Sequence, residues 1–395
     1  MSISLPLFAS PVQSLATPSV SNTGHGRDLR LDFCRGLALL MIFVDHVSGN
    51  SFSTLTLKSM GFADAAEVFV FIAGLTAILA YRKIFNDKGF MAGCRAVFAR
   101  IRILYGAHLL MLAGALLLAA LTIAAGSSFD IITKLGLSPA LADPAQALLW
   151  SPVLGYMPNY LDILPLYVIL LALVPLIIMG QRVHVALPLG VALGVYATAL
   201  NLGLNLPKLG DTSGWFLNPF SWALLFVCGA TVAQLTVTGF WTRLGEGSKR
   251  LVTLAAVAYV IFAFLHAAPW RVYPGFEALG FLPFTVEPDK AFLSWHRLLD
   301  MLAKAWLVAI LLPRKAVFMT TGLGAAISRV GHHSLPSFAA GIFLSLLGSV
   351  LVHEWHGATM AQISVTTGGI IALLGLALWF ERDKKSLAHR SLQPV

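Results

Sequence analysis

The sequence predicts an all-α, polytopic integral membrane protein with about ten transmembrane helices. Two observations carry this. Of 395 residues, 57% are hydrophobic and only 11% are Asp, Glu, Lys or Arg, against roughly 25% charged in a soluble domain. Mean hydropathy is +0.80, and the apolar runs recur along the whole chain. Disorder is excluded, because it needs low hydrophobicity and high charge.

A spanning helix needs about 20 mostly apolar residues. Ten segments approach this, at 33–50, 61–81, 101–125, 160–180, 184–203, 218–238, 251–268, 291–312, 334–352 and 364–380. Between the third and fourth lies SSFDIITKLGLSPALADPAQ, long enough for a short interfacial helix. Between the seventh and eighth lies PWRVYPGFEALGFLPFTVEPDK, whose aromatics and prolines suit a membrane surface. With the N-terminus inside, nineteen of the 27 Lys and Arg residues fall in inner segments. Five (Lys58, Lys134, Lys208, Arg271 and Lys290) fall outside, and Arg35, Arg297 and Lys304 lie within spans. The positive-inside rule then places both ends of the chain in the cytoplasm. The net charge of +9 marks those inner loops and requires no nucleic acid; it also favours anionic membrane lipids or a polyanionic cofactor.

Residues 1–26 are rich in Ser, Pro and Thr and lack a basic start, unlike a signal peptide. They read as a flexible cytoplasmic tail, followed by one membrane domain over 27–381 and a second tail over 382–395. Cys34, Cys94 and Cys228 stand singly, with neither metal-ligand spacing nor a disulfide framework.

The first span, RLDFCRGLALLMIFVDHVSGN, carries Asp32, Arg35, Asp45 and His46, and charges inside lipid are costly. Eleven helical steps put Arg35 and His46 about 20° apart around the axis and about 17 Å apart along it. One polar face thus links the two membrane boundaries, which suits a reaction whose substrates arrive from opposite sides. A neutral histidine can take a proton from a hydroxyl attacking a carbonyl. Asp32 is spaced to pair with Arg35. Asp45 belongs to the same reacting region but points about 100° from His46, so it would meet an acceptor or another helix rather than orient the ring.

This span resembles the membrane acyltransferase-3 group, whose signature is a basic residue, ten intervening residues and a histidine. A closer resemblance is to the OpgC family, which modifies osmoregulated periplasmic glucans with succinyl groups. GFADAAEVFVFIAGLTA at 61–77, YMPNYLDILPLY at 156–167, NPFSWALLFVCGA at 218–230 and VGHHSLPSFAAG at 330–341 carry it in order. The chain departs from the family pattern at His332, where a basic residue is usual, and at Ser337, where valine is. The resemblance implies an acyltransferase-3-like bundle, His46 as the acyl-transfer residue, and Arg35 in the region holding an acyl-CoA donor, with no permanently bound cofactor.

Other residues offer alternatives. Asp64 and Glu67 could orient His46, bind sugar hydroxyls, or cap the second span. Asp162 awaits a buried partner or an acceptor. Arg297 could neutralise an acyl carboxylate or pair with Asp300, the latter slightly favoured. Lys304 needs a partner or a wet cavity. His333 could contact CoA, and Ser334 could cap the ninth span. In VHEWHGATM, Trp355 could stack on a sugar, and His353, Glu354 and His356 do not form a metal motif. The basic run from Arg82 to Arg102 could steer CoA. A transporter or flippase for an acylated or anionic envelope substrate, or a sensor subunit, remains open, as does a homo-oligomer.

Overall fold

The computed structural model describes residues 28–272, 289–314 and 316–390, and the side chains of these apart from 267–272 and 384–390. The whole N-terminal tail (1–26), most of the aromatic loop before the eighth span, and the end of the C-terminal tail lie outside them. Among the described residues the chain is helical; its β-type pairing there is a single bridge between Lys208 and Asp211.

Each of the ten apolar segments is helical. In order come α1 (Leu29–His46), α2 (Ala65–Asp87), α3 (Phe90–Ala124), and three short helices, α4 (Ile131–Leu135), α5 (Ser138–Ala142) and α6 (Pro144–Trp150). Then follow α7 (Ile163–Ala172), α8 (Val174–Val183), α9 (Leu187–Leu202), α10 (Pro219–Val237), α11 (Phe240–Arg243) and α12 (Glu246–Val272). Last are α13 (Trp295–Leu311), α14 (Gly322–His332), α15 (Ser334–Glu354) and α16 (Thr359–Arg390). Six (α2, α3, α10, α12, α15 and α16) are long and apolar enough to cross a membrane, and the α7–α8 pair makes a seventh if counted as one bent span. That pair bends by 41° beside Pro175, which lacks an N–H for the helical ladder. By contrast, α9 and α13 have 16 and 17 residues, and α1 has 18, including charged ones.

The bundle is centred on α2 and α10. Two-thirds of the α10 span is buried, against 11% of α12 and 22% of α16. Leu, Ile and Val on those outer helices face outward, as lipid contact allows. Lipid tails remove the hydrophobic drive between helices, so close packing by small residues does the work. A Cβ built on Gly74 would lie 1.9 Å from the Phe226 carbonyl oxygen, and one on Gly229 would lie 2.1 Å from that of Phe71. These two glycines let α2 and α10 touch backbone to backbone. The FIAG segment is thus a packing surface. FAAG is looser: a Cβ at Gly341 would sit 3.8 Å from its nearest neighbour.

Helix α14 was not among the ten apolar segments. It carries a narrow stripe of Ile327, Val330 and Gly331, and a Cβ at Gly331 would meet the Asp32 carbonyl oxygen at 1.8 Å. It therefore presses directly on α1. The start of α1 is fixed again by Arg30, which donates to the Ala309 and Leu312 carbonyls at the end of α13 (2.8 and 3.1 Å). Those carbonyls would otherwise lack partners at a helix C-terminus.

Candidate active site

Arg35 is the seventh residue of α1 and His46 its last, about three turns further along. Arg35 donates from Nη2 to the Thr76 hydroxyl of α2 at 2.9 Å, and Asp32 is buried one turn away. His46 is the last residue of α1. Beyond it the chain is pinned: the Ser48 N–H donates to Ser349 Oγ at 2.9 Å, and Asn50 Nδ2 donates to Thr366 Oγ1 at 3.1 Å. This anchoring fixes where the imidazole emerges.

The His46 ring packs edge-on against Tyr160, centroids 4.5 Å apart. Tyr160 adopts φ +73°, a left-handed conformation that costs a non-glycine residue about 1–2 kcal/mol. The Lys134 ammonium of α4 stands 4.6 Å from the Tyr160 ring centroid and donates to the His46 carbonyl at 3.1 Å. Lys134 lies outside the spans, and burial, with Lys58 close by, pushes its ammonium down to about 8. Neither nitrogen of the His46 ring hydrogen-bonds a described residue, and Nδ1 is buried. The charges acting on the ring include Lys290, Lys134, Lys58 and Asp64.

The carboxylates are committed elsewhere. Asp45 accepts from Thr56 Oγ1 at 2.6 Å, consistent with its pointing away from His46. Asp64 and Glu67 form a capping box on α2: the Ala66 N–H donates to Asp64 Oδ1 at 2.8 Å, and the Asp64 N–H to Glu67 Oε2 at 2.9 Å. The same carboxylates take Arg297 of α13, through Nε to Glu67 (2.7 Å) and Nη2 to Asp64 (3.1 Å), while Lys290 donates to Asp64 at 2.6 Å. The expected Arg297–Asp300 pairing is therefore replaced. Asp300 instead accepts from the Phe62 and Ala63 N–H groups and from Lys304, each at 2.8 Å. A residue four positions along α13 reaches it where Arg297 turns to α2. Lys304 thus has the partner its depth requires.

Asp162 is buried at the start of α7, 3.5 Å from Lys208. His333, not Ser334, occupies the N-cap of α15, without a side-chain cap; Ser334 is the first helical residue. The His333 ring stacks on Phe380, centroids 5.8 Å apart. Trp355 is exposed beyond the end of α15. Its neighbours hold the α3–α4 loop: Glu354 accepts from the Ser127 hydroxyl and Ser128 N–H, and His353 Nε2 lies 3.1 Å from Ser128 Oγ.

Sequence reasoning missed Lys134, Lys290 and Thr76 as site residues. A signal existed for the lysines: few basic residues are assigned outside, and Lys58, Lys134, Lys208 and Lys290 all lie around His46 or its neighbours. Thr76 had no such signal, being one hydroxyl within an apolar helix.

A multi-pass helical membrane protein with an arginine and a histidine on one helix, the histidine's ring hydrogen-bonding no described residue, is the class defined so far. A family model described as "OpgC protein" matches residues 27–385, and the chain belongs to the OpgC family. Membership ties it to modification of osmoregulated periplasmic glucans, in a transferase role. No curated protein and no solved structure matches the chain.

Proposed function

We propose that the chain is an inner-membrane O-acyltransferase that moves a succinyl or similar small acyl group from cytoplasmic acyl-CoA to a hydroxyl of periplasmic glucan. Its ten helical segments would all cross or enter the bilayer, with both chain ends cytoplasmic, as the distribution of basic residues favours. The donor approaches at the Arg35 end and passes its acyl arm along α1. The glucan hydroxyl meets the thioester carbonyl at the His46 end.

His46 removes the hydroxyl proton as the new C–O bond forms; the thiolate of CoA leaves as the tetrahedral intermediate collapses. The observation that carries this reading is the unengaged imidazole. In a fold where nearby carboxylates are paired, the His46 ring hydrogen-bonds no described residue and its Nδ1 is buried. Lys58, Lys134 and Lys290 supply positive potential for the developing oxyanion and for an anionic acyl end. Asp45, Asp64 and Glu67 hold Thr56, Lys290 and Arg297 in place around it, and Asp162 and Trp355 lie where a sugar chain would approach.

The test is transfer of labelled succinyl from succinyl-CoA to a periplasmic glucan extract by purified protein in detergent. Wild type should form the glucan ester; His46→Ala should bind CoA but transfer none. Transfer by His46→Ala would overturn the general-base role, and turnover without a sealed compartment separates a transferase from a transporter.

A further inference from the structure

A second polar site lies away from His46, at the opposite end of α2. Arg82 and Asn86 of α2, Gln181 and Arg182 of α8, and Gln234 of α10 line a cleft of about 160 Å³, with Ile178 as its apolar wall. Two of these side chains have a group with no partner among the described residues. Arg82 is half-buried and makes no hydrogen bond or ion pair with a described residue. Gln234 is 8% exposed, and its Oε1 is buried without a hydrogen bond. Leaving a buried amide unpaired is costly, and an amide can present its NH2 instead of its oxygen by a simple flip.

The remaining groups are already oriented. Arg182 donates from Nη2 to Asn86 Oδ1 (3.0 Å) and the Phe85 carbonyl (3.1 Å), which fixes its guanidinium at the rim. Gln181 Nε2 donates to the Ala230 carbonyl at 3.2 Å. Among the described residues, no carboxylate lines the cleft. Two guanidinium groups with adjacent amides and no acid match a tetrahedral oxyanion better than a carboxylate or a neutral sugar, because guanidinium binds phosphate bidentately.

We propose that this cleft binds a phosphate group. Along α2, Arg82 lies six residues beyond Thr76, the partner of Arg35, or about 9 Å at helical rise. The phosphate would therefore sit beyond the Arg35 end of the path, on the side away from His46. Two sources share this chemistry: the headgroup of an anionic phospholipid, and the phosphates of the thioester donor. The donor source rests on the acyl-CoA reading; the phosphate site does not.

The experiment uses the full-length protein and three probes: inorganic pyrophosphate, CoA, and nanodiscs of phosphatidylglycerol compared with phosphatidylcholine. Wild type should be stabilised against heat by pyrophosphate. Arg82→Gln should weaken that binding about tenfold or more, as loss of a charge-assisted hydrogen bond does. Arg82→Lys should restore part of it, and His46→Ala should leave it intact. An Arg82-dependent effect of CoA assigns the donor; an Arg82-dependent effect of phosphatidylglycerol assigns the lipid. Unaltered binding of every probe in a folded Arg82→Gln, Arg182→Gln double variant would overturn the site. Arg82-dependent pyrophosphate binding without glucan acylation would leave the site standing and count against the transferase reading alone.

Discussion

Arg297→Met would test whether the buried ion cluster at the head of α2 holds the fold. Glu67 is fully buried and Arg297 is 4% exposed. Removing the guanidinium leaves Glu67 Oε1 without its 2.7 Å donor, while Oε2 keeps the Asp64 N–H. Asp64 retains Lys290 and the Ala66 N–H, so the cost falls on Glu67. Breaking a buried pair by removing one partner costs about 3–5 kcal/mol. Adding Glu67→Gln removes the stranded charge, and its amide oxygen can still accept from Asp64. The double variant should then recover most of the loss. Thermal unfolding in detergent, followed by tryptophan fluorescence, reads both. At about 2 °C per kcal/mol for a large domain, the single variant should melt roughly 6–10 °C below wild type. Equal melting of Arg297→Met and wild type, or a double variant no better than the single, would refute the reasoning and return Arg297 to a substrate-binding role.

Three further outcomes are expected. The Lys134 ammonium is held down to about 8 against an ordinary 10.5, so the folded protein loses this proton first as pH rises. The unfolded chain then binds more protons, and folding stability should rise with pH between about 8 and 10.5, while transfer that depends on the cation falls over the same window. Lys134→Arg stays charged, and a pH–rate profile with the same fall in that variant would exclude Lys134 as its cause. Gly74→Ala puts a methyl 1.9 Å from a backbone oxygen that cannot rotate away; overpacking costs about 1–3 kcal/mol or more. Gly106→Ala on α3, with nothing within 4 Å, is the control and should melt at or slightly above wild type. Finally, Glu354→Ala removes the acceptor that ties the α3–α4 loop to α15, and limited proteolysis near Ser127 should speed up without loss of global melting temperature.

Helix positions were legible because lipid forces a spanning backbone to satisfy itself within one segment. Each apolar run thus announces a helix without reference to its neighbours. Helix α14 did not, since its apolar stripe is only Ile327, Val330 and Gly331, and its place against α1 depends on a glycine contact that no hydropathy window detects. Side-chain pairing was legible only where it was local. The Asp64–Glu67 capping box follows from three-residue spacing. Arg297 reaching Glu67 joins positions 230 residues apart, and the local alternative, Asp300, was the natural but displaced choice. The same limit hid Thr76 from Arg35 and Lys134 from His46.

That limit also sorts the charged groups by role. An intramembrane ionisable group is costly unless paired. Arg297, Glu67, Asp64, Asp300 and Lys304 each find an opposite charge or a backbone donor within the fold, so stability alone accounts for their presence. His46 lies among Asp64 and three lysines, Lys58, Lys134 and Lys290, yet its ring takes no hydrogen bond from any described residue. His108 shares that condition, with both ring nitrogens buried and without a hydrogen bond among the described residues; what sets His46 apart is its register with Arg35 and its place beside Tyr160 and these charges. The general base proposed above would need a lone pair left unoccupied until its substrate arrives. The sequence pointed to His46 by its register with Arg35; the structure adds that the nearby Asp45 and Asp64 carboxylates are engaged, by Thr56 and by Lys290 and Arg297.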